Sequence, residues 1–121
     1  MTKTWTPADA ASQTNLSLDT LRYYEREGLI GRIARTAGGH REYTDDDIFW
    51  IGLISCLRDA GLGIADLREF TALLRDGDPG DRVGFLTAHR SELERRATQL
   101  QRAIRVLDEK IDHYRGVDAG E

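Results

Sequence analysis

Arg22, Tyr23 and Tyr24 stand side by side in the stretch TLRYYEREGLI, with Thr20 just ahead and Gly28 near its end. An arginine can fork onto a guanine edge or a phosphate. A tyrosine hydroxyl can bond a phosphate while its ring packs against sugar, and a threonine near a helix start can reach a base or a phosphate. Together these side chains suit a nucleic-acid duplex, provided they face outward from one element. The other reactive group is the thiol of Cys56, the only cysteine of the chain, whose thiolate can add to an electrophile.

The elements that must position these groups follow from caps and periodicity. Thr6-Pro7-Ala8-Asp9 reads as a helix start, with a hydroxyl cap, proline at the first helical position and a carboxylate in the first turn. That helix runs to about Gln13. A turn follows, and Ser17 caps a second helix beginning at Leu18. Two short helices separated by a few residues form a helix-turn-helix, whose second helix can lie in a major groove. On it Leu18 and Leu21 share the inward phase. Adjacent helical residues point about 100° apart, so Tyr23 and Tyr24 cannot be equally buried, and core packing is an even alternative for one of them.

After Gly28 the run LIGRIARTAGGHREY lacks helical periodicity, alternates basic with apolar residues, and reads as a flexible two-stranded wing. Thr44 followed by Asp45, Asp46 and Asp47 predicts a capped helix with a capping box, ending at Ala60 before Gly61. A fourth helix is expected from about Ile64 to Arg75. Leu86, Leu93, Leu100, Leu107 and Tyr114 then recur every seven residues, with Ala97, Ile104 and Ile111 between them. That is an a/d seam on a helix about 50 Å long. A preceding domain of this size is too small to cover it, so a dimerising coiled coil is expected, with packing on its own domain as the alternative.

Composition bounds the rest. With 121 residues, 40% hydrophobic and 31% charged, the chain makes one compact unit, or a small domain plus an extended element. The net charge of −4 requires that any polyanion be met by local clustering. Arg22, Arg26, Arg32, Arg35 and Arg41 do outnumber Glu25, Glu27 and Glu42 between residues 22 and 43. A single cysteine excludes an intrachain disulfide and a cysteine-cluster zinc site. No segment is apolar and long enough for a signal peptide or a membrane span, so a cytoplasmic protein with no membrane partner is expected.

SLDTLRYYEREGLI, GGHREYTDDDIFWI, LRDAGLGIADLREF and the terminal heptad helix, in this order, resemble the MerR family of bacterial transcription regulators over almost the whole chain. The resemblance implies an all-α fold with a small β wing. Residues 1–76 would form a winged helix-turn-helix DNA-binding domain, 77–81 a linker, 82–115 a dimerisation helix pairing antiparallel with a second copy, and 116–121 a flexible tail. It further implies a homodimer on a palindromic promoter whose spacer is too long for RNA polymerase, distorted so that polymerase can use it. Carried over by motif position, Arg22, Tyr23 and Tyr24 are recognition-helix contacts and Arg41 and Tyr43 wing contacts. Ser17, Thr20, Arg35 and His40 are neighbouring candidates. Leu86, Leu93, Ala97, Leu100, Ile104, Leu107, Ile111 and Tyr114 form the dimer interface. Two departures stand out: Gly31-Arg32 where many relatives have proline, and Gly63 where relatives often cap with serine.

The segment WIGLISCLRDAGL resembles the subgroup that responds to aldehydes, nitrosothiols or other electrophiles through one cysteine, which makes Cys56 the candidate sensor. In helical phase it lies with Phe49, Leu53 and Ala60, an apolar face expected between the DNA-binding domain and the dimer helix. Inert core is the alternative, since burial raises a thiol pKa and no cation sits at i±3 or i±4. A regulator sensing a small ligand without thiol chemistry also stands. No metal site and no cofactor is expected: His89 and His113 are too far apart on one helix, and thiolate ligands are missing. Neither is an enzyme, for Cys56 lacks a paired base and an oxyanion site. A coiled-coil interaction adaptor is the competing class, and the basic residues of helix and wing weigh against it.

Overall fold

The structure, a computed structural model, describes residues 3–76 and 82–120. The chain falls into two compact units, Met1–Gly80 and Asp81–Glu121.

In the first unit the first three helices start where a side chain can satisfy their free amides. Thr6 Oγ1 accepts from Asp9 N at 3.1 Å, opening α1 (Pro7–Thr14), and Ser17 Oγ accepts from Thr20 N at 3.1 Å, opening α2 (Leu18–Arg26). Between them Asn15 takes a left-handed conformation, φ 57°, and turns the chain. Beyond α2, Gly28 has φ 72°, a conformation that costs a side-chain-bearing residue about 1–2 kcal/mol. The chain then forms β2 (Ala34–Arg35) and β3 (Arg41–Thr44), paired antiparallel with Ala34 opposite Glu42 and Arg35 opposite Arg41.

The wing has one strand more than its sequence suggests. β1 (Thr4–Trp5) adds to the free edge of β3, giving the order β1-β3-β2 with Thr4 opposite Thr44. Trp5 anchors this strand by donating from Nε1 to Asp45 Oδ1 at 2.7 Å, and Lys3 Nζ lies 4.1 Å from the centre of its ring.

α3 (Asp45–Asp59) opens with a reciprocal capping box: Asp47 N donates to Thr44 Oγ1 and Thr44 N to Asp47 Oδ2. Its buried stripe is Asp47, Trp50, Ile51 and Ile54, the i, i+3, i+4, i+7 spacing of a half-covered helix. These pack with Leu21 and Tyr24 of α2, with Leu29, Ile30 and Ile33 beyond it, and with Leu67 and Phe70, all under 9% exposed. α4 (Ile64–Phe70) starts at Gly63 without a side-chain cap and passes into a π-helical turn, Thr71–Arg75. The expected linker, residues 77–81, lies outside the described residues.

In the second unit a single helix, α5 (Arg82–Asp118), runs for 37 residues. It extends past the expected end at 115, so residues 116–118 are helical rather than tail; Gly120, φ 78°, closes it. Leu86, Leu100, Ile104, Leu107, Ile111 and Tyr114 are between 45% and 65% exposed in the single chain. Ion pairs occupy other positions, including Arg95–Glu92 at 2.5 Å, whose hydrogen bond holds the Glu92 carboxyl below its usual pKa. Among the described residues no helix is long and apolar enough to cross a membrane. The observed architecture is thus mostly helical, with a small sheet and a long carboxyl-terminal helix.

Candidate nucleic-acid interface

Helix α2 and the wing converge on a cleft of about 130 Å³ lined by Leu18, Arg22, Arg35, His40, Arg41 and Tyr43, with Pro7 and Gly39 at its margin. Local sequence dictates the convergence. Leu21 turns inward and leaves Arg22, one position on, exposed. The wing hairpin closes over Thr36–His40, with Thr36 N bonded to His40 O at 2.8 Å and Gly39 N to Thr36 O at 2.9 Å.

The arginines are held differently. Arg22 is exposed and makes only a loose 3.7 Å pair with Asp19 of the preceding turn, an interaction worth little in water. Its guanidinium is available to a phosphate or base edge. Arg35 donates to Gly39 O at 3.0 Å and stays exposed at the wing tip beside His40. Arg41 instead reaches back to α2, donating from Nε to Glu25 Oε2 at 2.9 Å, with side chains 25% and 18% exposed. It therefore fixes the wing against the helix as well as lining the cleft.

Two of the expected contacts are buried in the single chain. Tyr24 is 1% exposed, and its hydroxyl lies 3.3 Å from Ser55 Oγ of α3. Tyr43 is also 1% exposed, and burial, reinforced by Glu25, pushes its phenol pKa up. Both rings pack inward, Tyr24 on the helix phase of Leu21 and Tyr43 on the covered face of the sheet, with Tyr43 still at the wall of the cleft. Tyr23, a hundred degrees around the helix, is the half-exposed member of the pair. Ser17 and Thr20 are mutually engaged, their hydroxyls 2.9 Å apart, as the α2 cap.

Sequence reading missed Arg58. From the last turn of α3 its guanidinium lies 5.8 Å from the ring centres of both Tyr23 and Tyr24. A hydrogen bond to the Tyr24 side chain raises its pKa further above neutrality. Arg26 approaches the Tyr23 ring from α2 at 5.7 Å. Tyr24 thus buttresses a cation beside the recognition helix. The only sequence signal was a basic residue near the end of α3, which any helix end favours.

Cys56 is exposed. So is Phe49, at 69%, while Leu53 is half-buried and Ala60 exposed. Their face is turned away from the core of this unit, because the buried stripe begins at Asp47 and runs one phase over. In the single chain the thiol is therefore outside the core of this unit. Among the described residues no group of three or more His, Cys, Asp or Glu side chains is placed to hold a metal ion.

An exposed cationic helix face beside a basic hairpin is the geometry of a winged helix-turn-helix, and comparison with known proteins agrees. The family description "MerR HTH family regulatory protein" matches residues 6–74. HiNmlR, a MerR family regulator lacking the sensor domain and crystallised bound to promoter DNA, is 29% identical, with a TM-score of 0.79 over 97% of this chain and 94% of that one. A MerR family transcriptional regulator from Listeria monocytogenes is 38% identical, with a TM-score of 0.80 over 91% of this chain and 85% of that one. The HTH-type transcriptional regulator AdhR of Bacillus subtilis is 49% identical over 71 residues, which is 59% of this chain and 51% of AdhR. The chain belongs to the MerR family of helix-turn-helix regulatory proteins.

Proposed function

We propose that the protein is a promoter-binding transcription regulator that acts as a homodimer and is switched through Cys56. The observation that carries DNA binding is the convergence of exposed Arg22 with Arg35, His40 and Arg41 in one cleft, on a protein that is acidic overall. Arg22 supplies the base-edge or phosphate fork from the major groove, with Thr20 and Ser17 at the amino end of α2. Tyr23 and Arg58 meet the backbone, and the wing tip meets the flanking phosphates. The domain that does this is residues 1–76.

Dimerisation belongs to residues 82–115. A stripe of leucine, isoleucine and tyrosine left half-exposed along about four heptads is unstable in water. A second copy laid antiparallel covers it and places two recognition helices on a palindrome. Distortion of the promoter for RNA polymerase then follows as indirect readout.

Cys56 is accessible and follows directly on Ser55, the hydroxyl that meets Tyr24 of α2. An adduct on its sulfur changes the volume and polarity of a face whose neighbour in sequence touches the recognition helix. That local step favours thiol chemistry over a ligand bound elsewhere.

In vitro transcription from the promoter upstream of its own gene tests both parts, comparing wild type with Cys56→Ser, with and without formaldehyde or a nitrosothiol. Induction of wild type alone, with equal promoter binding by both, supports the switch. An identical response in the two proteins removes Cys56 from it. Binding insensitive to salt would favour the adaptor instead.

A further inference from the structure

Three side chains from one face of α4 and the π-helical turn reach the backbone where α2 ends. Arg68 donates from Nε to the Glu27 carbonyl at 2.7 Å, Thr71 from Oγ1 to that of Leu29, and Arg75 from Nη1 to that of Ile30 at 2.6 Å. Spaced i, i+3 and i+7, they share a helical face. The carbonyls they hold lead straight from the recognition helix into the wing.

Arg75 does more than its two companions. Its Nη2 pairs with Asp47 Oδ1, and Asp46 Oδ2 lies 3.7 Å away. The second oxygen of the same Asp47 carboxylate accepts from Thr44 N at 2.9 Å, where β3 ends. One guanidinium and one carboxylate therefore grip the wing at both roots, Ile30 before it and Thr44 after it. The pair is enclosed, its side chains 16% and 6% exposed, with the Trp50 ring 5.9 Å from the guanidinium. Gly31, φ 77°, leaves the same place so closely that an added Cβ would stand 3.2 Å from Asp76 Oδ1. Arg75 is also the last residue of the π-helical turn, a rare conformation often found at functional positions.

We propose that Arg75 is a positioning residue that clasps both roots of the wing, so that the Thr71–Arg75 turn sets the angle at which the wing meets DNA. The guanidinium serves Ile30 and Asp47 from two separate nitrogens in a fixed fork, whereas lysine brings a single ammonium with no such fork. The functional half of the proposal rests on the DNA-binding reading above, and its structural half does not.

Hydrogen exchange of the full chain without DNA tests the structural half, comparing wild type with Arg75→Lys. Lysine keeps a charge for Asp47 and gives up the hold on Ile30. Amides of residues 31–43 should exchange roughly tenfold faster, the effect of losing one charge-assisted bond from a local opening, with α1 unchanged. Unchanged wing exchange overturns the clasp, as does a uniform rise that includes α1, which would make Arg75 a general stabiliser. The functional half is read by affinity for the duplex upstream of the gene in a double-mutant cycle. Arg75→Lys should weaken the wild type about tenfold, yet add nothing to a protein already carrying Arg35→Ala and His40→Ala. A full additive loss overturns the proposal. If the stripped tip binds like wild type, the DNA contact of the wing is what fails, and hydrogen exchange still decides the clasp.

Discussion

Arg41 of β3 donates to Glu25 of α2 across 2.9 Å, joining the wing to the recognition helix through a pair only 25% and 18% exposed. A carboxylate paired with an arginine of the basic cleft opposes DNA by simple charge, so its presence needs a positional reason. Glu25→Ala should weaken promoter affinity by about 1 kcal/mol, the worth of one partly shielded charge-assisted bond. Fluorescence anisotropy on a promoter duplex checks the sign: tighter binding would mean that Glu25 acts only as a negative charge.

Arg22 is an exposed cation of α2 that lines the cleft, held by a 3.7 Å contact to Asp19. Arg22→Ala should cost about 1–3 kcal/mol of specific binding. If Arg22 meets a base edge, a scrambled duplex should show a much smaller loss; a phosphate contact would weaken both alike and flatten the salt dependence by about one charge. Unchanged affinity would remove Arg22 from the interface.

Leu100 is 65% exposed on α5 in the single chain and sits in the middle of the proposed seam. A carboxylate there would be desolvated on dimerisation, at a cost of several kcal/mol. Leu100→Asp should therefore sediment as a monomer at micromolar concentration while keeping the fold of the first unit. A surviving dimer places the interface elsewhere.

Burial raises the Tyr43 phenol above its ordinary value near 10, and Glu25 adds to the effect. The neutral ring is then favoured by the folded state. Its contribution is whole below about pH 10 and falls away as pH rises through the folded pKa, since the unfolded chain releases the proton first. Urea midpoints between about pH 9 and 11 should fall in the wild type and fall less in Tyr43→Phe. Equal slopes would show that another group controls the alkaline limit.

The helix starts were legible because each is written locally: Thr6, Ser17 and Thr44 are hydroxyl caps with the right residues after them. The positive-φ glycines at 28 and 61 likewise announced where helices stop. What escaped depends on partners distant in the chain. A two-residue strand, Thr4–Trp5, carries no alternation to read, and its partner lies some forty residues on. Which of two adjacent tyrosines is core was set by α3, whose Ser55 meets Tyr24 and not Tyr23. Arg58 gains its place beside the recognition helix by the same packing. The Cys56 face is apolar through Phe49 and Leu53, and within this unit α3 buries the neighbouring stripe. Nothing in the run TALLR distinguishes a π-helical turn from ordinary helix.

The outer strand of the sheet also orders events during synthesis. α1, α2 and the β2–β3 hairpin can each close from nearby residues as they leave the ribosome. β1 cannot, because Thr4 and Trp5 pair with Thr44 and Tyr43. For the time taken to add some forty residues, on the order of seconds at cellular elongation rates, the Trp5 indole waits in water without its strand or its Asp45 acceptor. Thr4 and Trp5 are thus fastened only once β3 has been made, and a nascent chain stalled before Thr44 carries an exposed tryptophan as its mark.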